Sequence, residues 1–222
     1  MSQSVDFNLI SRKTNLANSV DKIFAVHLDV LKKLVEGKTF EEIKFKYTEK
    51  FKRLDYIQIA IKSSLLSFNE KNELIGAYPI SPFKTKYMVD IEGVGRDYSM
   101  CAIDALGVAY TFNAKTKIIT QDHKTGERIE INVNPETGFS FAQDIEPPFV
   151  SYGLNTRNGK SSAEYLCPTI NFYSSRENIP KSDSISIFEF EEAFESGKKL
   201  FQQDTLKKCI TNGINNEIAC DC

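Results

Sequence analysis

The 222-residue sequence predicts an α+β protein: a three-helix, winged-helix-like N-terminal unit, then a mixed, mostly antiparallel β-sheet with flanking helices. Three observations predict it. Apolar residues recur at three- and four-residue steps through the first third of the chain. From Pro79 to about Ile187, short β-branched and aromatic runs alternate with turns rich in Asn, Asp and Gly. Near the C terminus an amphipathic segment returns.

The elements follow in order. Between Ser19 and Glu36, residues Val20, Ile23, Phe24, Leu28, Leu31, Leu34 and Val35 form one helical stripe, which Gly37 ends. Thr39, followed by Glu41 and Glu42, reads as an N-cap opening a short helix that carries Phe40, Ile43 and Tyr47. A third helix is predicted from Leu54 to Ser67, with Ile57, Ile61, Leu65 and Phe68 facing inward. The segment FNEKNELIGAYPIS then reads as a small hairpin, completing a domain over residues 1–80. The runs KYMVDIEG, DYSMCAIDAL, VAYTF, KIITQ, RIEINVN, FVSYGL and AEYLCPTINFYSS are read as strands of a second domain over residues 81–208. That domain closes with one amphipathic helix, FEFEEAFESGKKLFQQDTLKK, and residues 209–222 are read as a flexible, cysteine-containing tail.

Composition excludes several classes of function. The 28 basic and 30 acidic residues give a formal charge of −2, so the chain has no field for nucleic acid or a membrane surface. The third helix offers only Lys52, Arg53 and Lys62, among acidic neighbours. No apolar stretch approaches the roughly 20 residues of a spanning helix, and MSQSVDFNLISRKTNL lacks the apolar centre of a signal peptide. A cytoplasmic monomer is the expectation. Five cysteines, an odd number, argue against a disulfide framework and for mostly free thiols. His27 and His123 have no Cys/His spacing of a zinc site, and Gly93-Val94-Gly95 is too short for a phosphate loop, so no cofactor is implied.

Cys101 and Cys167 lie in apolar, aromatic segments, where a cysteine can simply be a small buried hydrophobe. Asp104, three residues after Cys101 in an otherwise apolar run, is harder to explain. A buried carboxylate needs a partner, a proton or a functional pocket, although a capping role at a turn also accounts for it.

These residues resemble a family. Cys101-Ala-Ile-Asp104-Ala-Leu, preceded by KYMVDIEGVGRDYSM, is similar to the segment of the organomercurial (alkylmercury) lyases that carries their first catalytic cysteine and catalytic aspartate. Cys167 in YLCPTINFYSS resembles the segment carrying the second catalytic cysteine, upstream of Phe172, Tyr173, Ser174 and Ser175. The likeness reaches back through Ala77–Ser81 into the N-terminal helices. The sequence departs from the family at three places: Met100 replaces an aromatic, Pro168 stands where some members have a second cysteine, and Asp122 stands near a position often held by a structural cysteine.

The resemblance implies an enzyme that cleaves the carbon–mercury bond of alkyl- or arylmercury, with Cys101 and Cys167 binding the metal and Asp104 shuttling the proton. Mercury(II) is soft, and thiolate sulfur holds it best. A second thiolate pushes electron density onto the bound carbon, which then accepts a proton from an acid held in contact. Met100, Ile103, Leu106, Phe172 and Tyr173 would wall a dry pocket that raises the carboxyl pKa. The partners implied are the organomercurial itself and cellular thiols, or a mercuric reductase-type acceptor, for the released ion. The same thiols also suit a non-catalytic soft-metal carrier or sensor, or a lyase for another organometal. Cys220 and Cys222 form a further dithiol that could take up the metal.

Overall fold

Residues 7–142, 145–154 and 161–216 are described by the structure, a computed structural model. The first helix, α1 (Phe7–Val35), buries the predicted stripe from Val20 to Val35. His27 falls within that stripe and is fully buried. The next helix, α2 (Phe40–Lys46), opens on a capping box: Thr39 Oγ1 accepts from Glu42 N at 3.3 Å, and the Glu42 carboxylate accepts from Thr39 N at 2.7 Å.

Two short helices, α3 (Thr48–Leu54) and α4 (Tyr56–Lys62), replace the single third helix expected over Leu54–Ser67. They part at Asp55, whose left-handed backbone (φ 49°) ends one and precedes the other. That break rotates the inner face onto Phe51, Tyr56 and Ala60 and leaves Ile61 exposed, against the expected register. The hairpin forms as read, with β1 (Leu66–Phe68) antiparallel to β2 (Leu74–Ala77).

The second half is built on a five-stranded antiparallel sheet of order β4-β3-β5-β6-β7: β3 (Tyr87–Ile91), β4 (Gly95–Ser99), β5 (Thr116–Gln121), β6 (Arg128–Asn134) and β7 (Gly138–Phe141). Tyr87, Val89 and Ile91 of β3 alternate inward, as do Thr116, Ile118 and Thr120 of β5. Between β4 and β5 runs α5 (Ala102–Phe112), where two strands were expected from DYSMCAIDAL and VAYTF. From Ala102 to Thr111 every residue of this helix is buried, so it has no polar face and shows no 3.6-residue periodicity. A helix buried all round is indistinguishable by pattern from an apolar strand.

Beyond the sheet come β8 (Phe149–Gly153), α6 (Ser162–Tyr165), a 3₁₀ turn at Cys167–Thr169, β9 (Phe172–Tyr173), a 3₁₀ turn at Arg176–Asn178 and β10 (Ile185–Phe188). The three strands form a small sheet of order β10-β8-β9. The closing segment is two helices, α7 (Phe190–Phe201) and α8 (Gln203–Asn215), parted by the extended backbone of Gln202. Helix α7 lies against α5 so closely that a Cβ on Gly107 would sit 2.2 Å from the Phe201 ring, and one on Gly197 2.8 Å from the Ile103 carbonyl. Helix α8 packs on α1 and α4.

Residues 209–215, expected to lie in a flexible tail, instead continue α8 and bury Cys209, Ile210 and Gly213. Cys209 is disulfide-bonded, which corrects the expectation of a free thiol there. Cys220 and Cys222 lie outside the described residues. Among the described residues no helix is long and apolar enough to cross a membrane.

Candidate active site

Cys101 is the N-cap of α5, with extended backbone (φ −150°, ψ −179°), and its sulfur accepts a hydrogen bond from Asp104 N at 3.5 Å. The expected strand setting for this cysteine is thus replaced by a helix N-terminus. Asp104 is the third residue of the helix, and its side chain turns back toward the cap. A helix N-terminus favours anions. Burial opposes it here and wins: the Cys101 thiol is raised well above its usual range by desolvation.

Cys167 is also not in a strand. It starts the 3₁₀ turn, where Pro168 suits the first turn and removes an N–H that would go unpaired. That turn is clamped from three sides. Ser151 Oγ of β8 donates to Thr169 O at 2.6 Å, and Gly153 N donates to Thr169 Oγ1 at 2.9 Å. Asn171 Nδ2 donates to Pro168 O at 3.0 Å, while Tyr87 Oη of β3 donates to Asn171 Oδ1 at 2.7 Å and Ile170 O at 3.0 Å. Ala102 N, next to Cys101, donates to the same Ile170 carbonyl at 3.2 Å. The two cysteine segments, distant in sequence, are thus stitched together by backbone.

The result is one cluster. The Cys101 and Cys167 sulfurs and an Asp104 oxygen all lie within 4.8 Å of one another, and all three residues are buried. The Cys167 thiol donates to Asp104 Oδ2 at 3.8 Å. Burial pushes the Asp104 carboxyl up to about 7, against hydrogen bonds from both thiols and from the helix backbone that pull it down. A group poised there takes and returns a proton near neutrality.

Sequence reasoning missed Tyr78. Its hydroxyl is 3.7 Å from the Cys167 sulfur, and burial raises its pKa far enough to keep it protonated. Beneath it, the Tyr78 carbonyl can only accept, so His27 Nε2–H donates to it at 3.1 Å and His27 Nδ1 accepts from Tyr56 Oη at 3.0 Å. Burial lowers the His27 pKa to about 4 and keeps the ring neutral. The signal for Tyr78 was its place in the Ala77–Ser81 stretch, but no spacing rule linked it to Cys167.

The cluster lines a cavity of about 720 Å³. Of the expected wall residues, Ile103 lines it; Met100, Leu106, Phe172 and Tyr173 are core instead. Their place is taken by Tyr152, Tyr165, Leu166, Ile170, Phe188 and Leu200. Asp122 is buried elsewhere, binding the turn after β5 to the segment after β9.

The sequence profile of the MerB alkylmercury lyase family matches residues 80–202. Among solved structures, the mercury-bound form of MerB2 is similar in fold, with a TM-score of 0.56 and 19% identity over 89% of this chain and 99% of that one. A comparison with curated protein sequences finds no match. Because the family profile spans more than half of the sequence, including both free thiols and the carboxyl between them, the chain belongs to the alkylmercury lyase family.

Proposed function

We propose that the protein cleaves the carbon–mercury bond of alkyl- or arylmercury compounds by protonolysis, with Cys101 and Cys167 as mercury ligands and Asp104 as the proton shuttle. The observation that carries this reading is the convergence of two thiols and one carboxyl within 4.8 Å in the wall of an organic-sized cavity.

The steps balance. The incoming organomercurial, R–Hg–X, exchanges its ligand X for the Cys101 sulfur, and the Cys101 proton leaves with X as HX. The Cys167 thiol gives its proton to the Asp104 carboxylate across 3.8 Å, and the freed sulfur adds to the same mercury. Two sulfurs now raise the electron density on the bound carbon. Asp104 returns its proton to that carbon, the carbon–mercury bond breaks, and the hydrocarbon leaves mercury(II) on the two thiolates. Desolvation serves both halves of the cycle, because a carboxyl with a pKa of about 7 both accepts the thiol proton and donates to carbon. Tyr78, neutral and in contact with Cys167, donates to its sulfur and steadies it.

No resident cofactor enters this scheme; mercury is substrate and product. Small thiols strip the product from the site, which places the reaction in a thiol-rich compartment such as the cytoplasm. A soft-metal carrier would use the same sulfurs, but it would have no need of an apolar cavity of about 720 Å³ beside them. The test is incubation of the purified protein with phenylmercury and excess thiol, followed by detection of benzene. The wild type releases it, and Cys101→Ser and Cys167→Ser each abolish release. Full activity in either variant removes that sulfur from the mechanism.

A further inference from the structure

Apart from Asp104, the charged residues that line the cavity are of one sign among the described residues. Lys199 of α7 and Lys208 of α8 both line it, and Asp104, among the proposed reacting groups, is the single acid among the described residues of the wall. The chain as a whole is slightly acidic, so this is a local feature. Neighbouring lysines on the same helices are neutralised: Lys198 pairs with Glu195 at 3.6 Å, and Lys207 with Asp21 at 2.8 Å. Lys199 and Lys208 are exposed at the cavity, and neither has an ion pair among the described residues. Thr205, whose Oγ1 already accepts from Gln202 Nε2 at 3.2 Å, lines the same wall and has its hydroxyl proton to donate.

We propose that Lys199 and Lys208 make a carboxylate-binding subsite in this cavity, so that the preferred substrates are organomercurials that enter with a carboxylate attached. The inference rests on the lyase reading above and names the substrate class for it. Where thiols are abundant, an organomercury cation travels as a thiolate, R–Hg–SR′. Loading the site is then an exchange: the bond from mercury to Cys101 sulfur forms, the bond from mercury to R′S breaks, and the Cys101 proton departs on the released R′SH. No oxidant or reductant is needed. Because the lysines and the sulfurs line the same cavity, the subsite takes a carboxylate on R′ or on R while mercury is held at the sulfurs. The ammonium groups raise the local concentration of such anions and orient them with the metal inward.

The experiment compares four substrates at low ionic strength: phenylmercury and 4-carboxyphenylmercury, each supplied as the thiolate of neutral 2-mercaptoethanol or of anionic 3-mercaptopropionate. Arene release is followed for the wild type and for the Lys199→Gln/Lys208→Gln double variant. The wild type should favour the carboxylate-bearing forms by about tenfold in kcat/KM, carried mainly by KM and shrinking with added salt, as two exposed ionic contacts allow. In the double variant the preference should fall to about twofold or less, and Lys199→Glu/Lys208→Glu should invert it. A preference confined to 3-mercaptopropionate assigns the carboxylate to the delivering thiol; one confined to 4-carboxyphenylmercury assigns it to the organic group. Arene release at equal efficiency from all four substrates overturns the subsite and leaves the lyase reading intact. No arene from any of them overturns the lyase reading itself.

Discussion

Asp104 and Asp122 are both buried aspartates in the same half of the molecule, yet their surroundings give them opposite chemistry. Asp122 accepts five hydrogen bonds: from Lys124 N and Thr125 N at 2.7 Å, from Ser174 N at 2.6 Å, from Ser174 Oγ at 2.8 Å and from Asn178 Nδ2 at 3.0 Å. Burial alone would raise its pKa, but these donors outweigh it and hold the carboxyl well below the usual carboxylate range. Asp104 has weak sulfur donors instead, burial prevails, and its carboxyl rises to about 7. Donor supply therefore separates a permanently charged staple from the proposed proton carrier. The staple ties the turn after β5 to the segment after β9.

The largest expected effect follows from removing the proton carrier. Asp104→Asn keeps the shape of the side chain but cannot deliver a proton, and benzene release should fall by about 10²–10⁴-fold, the usual contribution of a positioned acid–base group. The corresponding change at the other aspartate should act on stability. Asp122→Asn replaces an anion that binds five donors, and denaturant unfolding should show a loss of about 2–4 kcal/mol. A stable Asp122→Asn protein would break the contrast.

The pH dependence separates the two further. An unfolded aspartate loses its proton near pH 4, whereas folded Asp104 keeps it to about 7. The folded state therefore binds the extra proton across that window, and stability declines as pH rises through it. Asp104→Asn removes the decline, so its stability relative to wild type should be about 2 kcal/mol more favourable at pH 8 than at pH 5. Asp122 has the opposite sign: its folded pKa is depressed, so its contribution is present above about pH 4 and lost as pH falls further. The smallest effect should come from Ser174→Ala, which withdraws one donor from Asp122 and should cost about 1 kcal/mol.

The three residues that cluster at the candidate site were legible in the sequence because two short motifs, around Cys101 and around Cys167, occur in the right order. A carboxylate inside an apolar run was also anomalous on physical grounds. Their local structure was not legible. Helix α5 is buried on every side and so lacks the amphipathic rhythm that marks a helix, and both cysteines were assigned to strands that stop short of them, β4 ending at Ser99 and β9 starting at Phe172. The break at Gln202 was hidden because α7 and α8 are each amphipathic and read as one continuous pattern. That misreading also concealed Lys199 and Lys208, which meet at one cavity only because the chain turns between them. Tyr78 and Cys167 are neighbours through folding alone, 89 positions apart.

Intact-mass measurement of Asp104→Asn after exposure to phenylmercury tests the division of labour at the site most directly. The account predicts a one-to-one adduct that retains the phenyl group on the protein, with no benzene, while wild-type protein carries bare mercury and releases the arene. Benzene release by Asp104→Asn at the wild-type rate, with bare mercury left on the protein, would contradict it.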